Sequence, residues 1–305
     1  MQSPIGFLLG ITSILSVLLD PGVAAAQEAV RPGIIPDVPP HHVNLFVTDK
    51  AFLRRTIEPR FEVIGDAAGD QYRESVLLAW TISRRLGIET EASLVQFDAE
   101  FGGGSSAFGG IEVTPKVSIL QDDERRLLLA AASGFEVPVG DQDEWLANHG
   151  WKWKPRLLLW KGWDAEGRSA LQMEFGSDMT SAGSFDPDPV LVFNAGYSRW
   201  TSSNWIPVVE ITAIERLGPE DSDGATPVDP SGILTGLPDL RASDGVFRDT
   251  EGIFESDERL LAGTLGFRYA LTDGQQWGAG FRFPFFGDTE SFEWGLIVGG
   301  TIRLP

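Results

Sequence analysis

Cysteine is absent from the 305-residue chain, and histidine, tyrosine and methionine occur only three times each. Without cysteine there is no disulfide, no lipid-modified cysteine anchor and no thiolate metal site. In an oxidising compartment the fold must then be held by hydrogen bonds and packing alone. Positive charge is scarce as well: 24 Lys and Arg stand against 44 Asp and Glu, a formal charge of -20. That balance excludes a nucleic-acid partner, because phosphates need basic neutralisation. Past the N-terminus no stretch reaches the roughly 18 apolar residues of a membrane-spanning helix. A membrane form of this chain must therefore cross with strands.

Catalytic signatures are missing too. His41, His42 and His149 fall outside the strand-like segments and no G-x-S-x-G occurs, which leaves a serine nucleophile without a base. Glu89 and Glu91 sit two apart on one face, the pattern of a solvated or ion-paired wall. Gly102-Gly103-Gly104 precedes no helix and suits a loop tip better than a phosphate cradle. His41-His42 lacks further ligands for a metal and reads as part of a solvated or plug-like segment. The expectation is a protein that is not an enzyme, with no cofactor and no metal.

What is abundant is glycine (35), phenylalanine (19) and tryptophan (10), a composition for many strands joined by tight turns. Residues 1–26 read as a signal peptide. An apolar run from Ile5 to Leu19 is broken by Asp20-Pro21, and Ala24-Ala25-Ala26 offers a cleavage site. Met1-Gln2-Ser3-Pro4 departs from that pattern in having no Lys or Arg. Residues 27–52, with Pro32, Pro36, Pro39 and Pro40, form an irregular segment, either a plug or a periplasmic extension. Residues 53–305 are assigned to the main domain.

Within that domain twelve alternating segments are predicted, near 53–65, 72–83, 88–97, 109–120, 125–137, 151–161, 168–177, 190–200, 204–217, 258–270, 276–285 and 292–303. About ten residues is the length of a tilted strand across a bilayer. Trp277, Ala279, Phe281, Phe283 and Phe285 alternate with Gly278, Gly280, Arg282 and Pro284, so one face is apolar and the other polar. Leu171, Met173 and Phe175 alternate with Gln172 and Glu174 in the same way. A soluble sandwich would alternate likewise. Connection length separates the two: short turns follow even segments and longer connections follow odd ones, and a sandwich gives no reason for that parity. The fold expected is all-β, a transmembrane antiparallel up-and-down β-barrel of about 12 strands, with short periplasmic turns and long extracellular loops. Trp151, Trp153, Trp160, Trp163, Trp200, Trp205, Trp277 and Trp294 fall near strand ends, as two interfacial girdles require. Trp145 falls in a loop.

With the apolar face outward, the inner face carries Glu58, Arg60, Glu62, Glu89, Glu91, Glu112, Lys116, Glu136, Lys152, Lys154, Arg156, Glu174, Glu210, Arg268, Arg282 and Arg303. These are the candidate lumen-lining residues. Acids and bases balance, which suits either a transverse field across a narrow pore or a closed, ion-paired interior.

Certain stretches carry a resemblance. Gly109-Gly110-Ile111-Glu112-Val113-Thr114-Pro115-Lys116-Val117 and Gly134-Phe135-Glu136-Val137-Pro138-Val139-Gly140-Asp141 resemble the outer-membrane "MetA-pathway of phenol degradation" transporter-like family. Phe193-Asn194-Ala195-Gly196-Tyr197 and Gly266-Phe267-Arg268-Tyr269-Ala270-Leu271-Thr272-Asp273 resemble its later strands. The motifs are short and glycine-based, and they carry over no binding residue. The resemblance implies a Gram-negative outer-membrane barrel for uptake of aromatic or other hydrophobic compounds. Its surroundings would be outer-membrane lipid and lipopolysaccharide, and barrel-assembly machinery would insert it. One departure is the ending Arg303-Leu304-Pro305, where such barrels commonly finish on an aromatic residue.

Residues 218–257 are acidic, with Glu220, Asp221, Asp223, Asp229, Asp239, Asp244, Asp249, Glu251 and Glu255 against Arg241 and Arg248. The segment reads as a solvated outer loop; its spacing matches no EF-hand. Three functions stay open: a passive channel or uptake port for small solutes, a non-conducting barrel acting through its loops, and a soluble secreted β-protein.

Overall fold

A computed structural model describes Val43 and residues 45–66, 69–99, 104–137, 151–164, 168–180, 189–201, 203–217, 259–272, 274–287 and 293–304. The expected signal peptide, His41-His42, His149 with Trp145, and the acidic 218–257 segment lie outside the described residues.

The described residues form twelve strands: β1 (Thr56–Asp66), β2 (Gly69–Thr81), β3 (Leu86–Ala99), β4 (Gly104–Asp122), β5 (Leu127–Val137), β6 (Lys152–Gly162), β7 (Ser169–Thr180), β8 (Val190–Arg199), β9 (Trp205–Arg216), β10 (Arg259–Thr272), β11 (Gln275–Gly287) and β12 (Trp294–Arg303). Each pairs antiparallel with its chain neighbours, and β12 returns to β1, closing the barrel. At the seam Thr56 faces Arg303 and Gly65 faces Trp294. Closure leaves no strand edge with unpaired amides.

The strands extend further than alternation alone indicates. β1 reaches Asp66 and β2 starts at Gly69; β3 reaches Ala99 and β4 starts at Gly104. The connections after β1 and β3 are therefore shorter than the sequence pattern suggests. Gly104-Ser105-Ser106 has no apolar face to betray a strand, yet it pairs in register with Asp98, Phe97 and Gln96. The register shifts after Ser93, where Gly110 adopts φ +117°, a conformation side-chain-bearing residues rarely take. At the other end of the chain β1 begins at Thr56, because Phe52 and Leu53 are buried inside the barrel and not paired in its wall.

Alternation sorts the faces. In β10 and β11, Leu265 and Phe281 are 52% and 48% exposed while their neighbours Thr264 and Arg282 are 1% and 2% exposed. The outward face also carries Leu78, Val117, Leu157, Val209, Ile211, Phe267 and Val298, a belt suited to hydrocarbon and unsuited to water. Trp80, Trp163, Trp205 and Trp277 stand exposed at the rim of short turns. There Trp205 packs on Phe267 and Tyr269 at 5.0 and 5.1 Å between centroids. Trp151 and Trp153 are exposed at the opposite rim, where Trp294 lies against Gly65. Two of the tryptophans expected in the girdles are elsewhere: Trp160 faces inward, 2% exposed, and Trp200 packs on an interior apolar cluster.

An arginine on the outward face at mid-depth costs about 2–4 kcal/mol in a bilayer. Leu265→Arg should therefore lower the urea midpoint of the vesicle-reconstituted protein by a corresponding amount. An unchanged midpoint would show that this face does not meet hydrocarbon.

Candidate functional site

The chemistry-bearing residues converge in the barrel interior. All sixteen residues proposed for the lining stand on the inward parity of their strands. Glu89, Lys116, Glu136, Lys152, Lys154, Glu174, Glu210, Arg268 and Arg282 are buried; Glu58, Arg60, Glu62, Glu91, Glu112 and Arg156 are half-buried; Arg303 is exposed at the short-turn rim.

What covers so many of them is the segment from Val43 to Arg55, which runs inside the barrel ahead of β1. Val43, Leu45, Phe46, Ala51, Phe52 and Leu53 are at most 4% exposed. Phe52 meets Trp160 edge-on, 5.0 Å between ring centroids, in a cluster with Leu128, Ala130, Ala132 and Leu158. Phe46 joins Ile206, Val208, Ala270 and Ile297 in a second cluster. A methyl group placed on Gly266 or Gly280 would meet the Phe46 ring at 2.7 or 3.0 Å, so the missing side chains make its seat. The Arg268 guanidinium lies over that ring, 4.5 Å from its centroid, within cation–π range.

The segment's backbone amides are satisfied by wall carboxylates. Phe46 N donates to Glu210 Oε1 at 2.6 Å, while Val47 N and Thr48 N donate to Glu210 Oε2 at 3.0 and 2.9 Å. Thr48 Oγ1 adds a fourth bond at 3.0 Å. Three successive amides around one carboxylate make an anion-holding nest, and each charge-assisted bond is worth about 1.5–3 kcal/mol. Asp49 N donates to Glu174 Oε2 at 3.0 Å. In return, Gln172 Nε2 donates to Val43 O at 2.6 Å and Arg268 Nη2 to Leu45 O at 2.9 Å.

Ion pairs knit the β1–β7 side. Lys116 Nζ lies 2.7 Å from Glu89 and 3.8 Å from Asp49. Lys50 bridges Glu58 and Glu89. Lys154 pairs with Glu112 at 3.0 Å and Glu136 at 2.8 Å, and Arg156 with Glu174 at 2.8 Å and with Asp178. Arg73 meets Glu91 at 3.5 Å. Burial pushes the Asp49 carboxyl up, but Lys116, Arg156, Lys50 and Arg60 together hold it below the usual carboxylate range. The stabilisation from Asp49 is therefore present above that range and lost as pH falls through its lowered native value.

Sequence patterning alone misses Asp49, Lys50, Arg73 and Asp178 as interior charges. Arg73 falls inside the predicted segment 72–83 and Asp178 one residue past 168–177, both on the inward parity, so alternation applied to every charge and carried to the end of β7 would have found them. For Asp49 and Lys50 the available sign was the apolar flank Val43, Leu45, Phe46, Ala51, Phe52 and Leu53, too greasy for a solvated extension. Among the described residues no group of three or more His, Asp or Glu is arranged to hold a metal.

Comparison with known proteins bears on the fold. No protein-family model matches the chain, and no curated protein matches it in sequence. The structure is similar to an outer membrane channel from Pseudomonas putida F1, with a TM-score of 0.55 at 10% identity over 86% of this chain and 99% of that one. It is also similar to the NanC porin, with a TM-score of 0.52 at 10% identity over 81% of this chain and all of that one. The structural neighbours are thus outer-membrane barrels that serve as porins or channels, and the fold is theirs.

The nest around Glu210 generates a prediction. Because the chain has no cysteine, a single Val47→Cys reports access to the interior segment through maleimide labelling. Adding Glu210→Gln removes the carboxylate charge, at a cost of about 2 kcal/mol, and should speed labelling at least roughly tenfold. Equal rates in the two backgrounds would show that Glu210 does not retain the segment.

Proposed function

We propose that this protein is a channel of the Gram-negative outer membrane, exported by its N-terminal signal, that passes small solutes by passive diffusion. One observation carries the reading: a closed sheet presents an apolar belt outward and charged side chains inward. In water that arrangement would be inverted; in a bilayer it hides charge from lipid and gives a polar solute a wall to follow. The shared fold of the two barrel neighbours supports it. On this reading the belt is surrounded by outer-membrane lipid and lipopolysaccharide, and insertion depends on barrel-assembly machinery. The resemblance to the MetA-pathway transporter-like family adds aromatic and hydrophobic compounds to the solutes considered. No step of this function requires catalysis.

A second reading is supported by the interior segment. With Phe46 and Phe52 seated in apolar clusters and Glu210 occupied by its amides, much of the cross-section is filled. A barrel so occupied could serve as a non-conducting support for its long connections.

Planar-bilayer recording separates the two. The purified full-length protein is expected to give discrete conductance steps, and Phe46→Ala, which empties the seat over Gly266 and Gly280, should enlarge them roughly two-fold, since ion flow follows the open polar section. Silence from both proteins would remove the channel reading and leave the non-conducting barrel.

A further inference from the structure

Opposite the ion-paired wall lies a sector built differently. Arg268 on β10, Gly278 on β11, Gly299 on β12 and Arg60 on β1 stand in register on one level of the inner face. Two guanidinium-bearing residues thus flank a span of three strand spacings, roughly 14 Å of wall, that carries no side chain between them. The Arg268 side chain leans across Gly278, since a methyl group built there would lie 2.6 Å from its Cγ. Toward β12, Gly299 is buried, and a methyl group built on it would meet the Pro59 carbonyl oxygen at 3.3 Å and Arg60 Cα and Cβ at 3.8 and 3.9 Å.

The two arginines are also under-used. Arg268 is 4% exposed, and although its Nη2 donates to Leu45 O, its Nε and Nη1 have no hydrogen-bond partner. Arg60, half-buried, makes no hydrogen bond or ion pair with any described residue, so the buried, unpartnered donors of the two are those of Arg268. Buried guanidinium N–H groups without acceptors are costly, and a fork of five donors is shaped for carboxylate oxygens. The carboxylates nearby do not meet that demand. Glu210 is taken up by the amides of Phe46, Val47 and Thr48, and Glu58 by Lys50 and Thr56. Among the described residues, Glu62, one level above Arg60, and Asp49 on the interior segment are the remaining acids near Arg60, and Arg282 stands a level above Glu62 on β11. Among the described residues the sector therefore sets two guanidinium groups with few direct partners beside a glycine-lined strip, while across the interior the charged side chains are ion-paired with one another.

We propose that the strip between Arg268 and Arg60 is a binding station for the carboxylate of a permeating acid, and that it makes the lumen anion-selective. The proposal rests on the channel reading for its selectivity but not for its binding. Glycines at 278 and 299 let the solute lie against backbone, and the paired guanidinium groups exchange one carboxylate for the next as it moves along.

Two measurements on the full-length protein test it. Binding is read by isothermal titration of succinate, with the uncharged isostere succinamide as control, into protein in neutral detergent at low salt. Succinate should bind and succinamide should not. Arg60→Gln and Arg268→Gln should each weaken succinate at least roughly tenfold, whereas Arg125→Gln, on an exposed turn, should leave it unchanged. Selectivity is read from the reversal potential in a potassium chloride gradient. Chloride should permeate at least roughly threefold better than potassium in the parent and about equally in the Arg60→Gln, Arg268→Gln double variant. Heat-modifiable gel mobility certifies that each variant is folded. Absence of succinate binding, binding that survives both substitutions, or a chloride preference that the double variant retains would overturn the proposal. A silent bilayer with intact, arginine-dependent binding would instead overturn the channel reading and leave the station standing.

Discussion

The pairing of β12 back onto β1 leaves every strand with two neighbours, so the hydrogen-bonding needs of the wall are met inside the wall itself. Hydrocarbon offers no substitute partners for amides and carbonyls, each of which would cost several kcal/mol if left unmet. Closure is therefore what permits the outward face to be as apolar as it is. Once the cylinder exists, side-chain parity follows without further instruction: Leu265, Phe267 and Phe281 have nowhere to go but out, and Thr264, Arg268 and Arg282 nowhere but in.

That geometry creates a second demand. A twelve-strand cylinder encloses more space than its own inward side chains fill, and inward charges left alone in that space are expensive. Residues 43–55 answer both needs. Their greasy side chains sit against the inward Leu128, Leu158, Trp160, Ile206, Val208 and Ile297, while their amides hydrogen-bond Glu210 and Glu174 and Lys50 pairs with Glu58 and Glu89. The interior thus divides into a sealed, paired side and a glycine-floored side where Arg60 and Arg268 keep donors to spare. The interior's chemistry follows from that asymmetry more than from the number of acids and bases among the lining candidates, which is equal.

Much of the architecture could be read from residue order because strand parity is a local rule. Alternation located the twelve strands, and connection length pointed to a barrel over a sandwich. The same rule put Glu58 through Arg303 on the inward face. It failed where local pattern and partner diverge. Gly104-Ser105-Ser106 looks like a loop and is strand, since backbone pairing needs no apolar face. Trp160 and Trp200 look like girdle residues, yet an interior apolar segment waiting for them outweighs an aromatic's preference for the interface.

Residue order by itself determined the alternation, the strand number and the inward parity of the charged residues, because each depends on spacing along one chain, and a sequence without cysteine has no thiol chemistry. The tertiary structure alone decided which inward charges are spent and which are spare. Glu210 and Arg268 are both buried ions on neighbouring strands, and nothing in their local sequence distinguishes them. One is satisfied because three amides from residues more than a hundred and fifty positions away come to it, and the other keeps free donors because the strand beside it presents glycine.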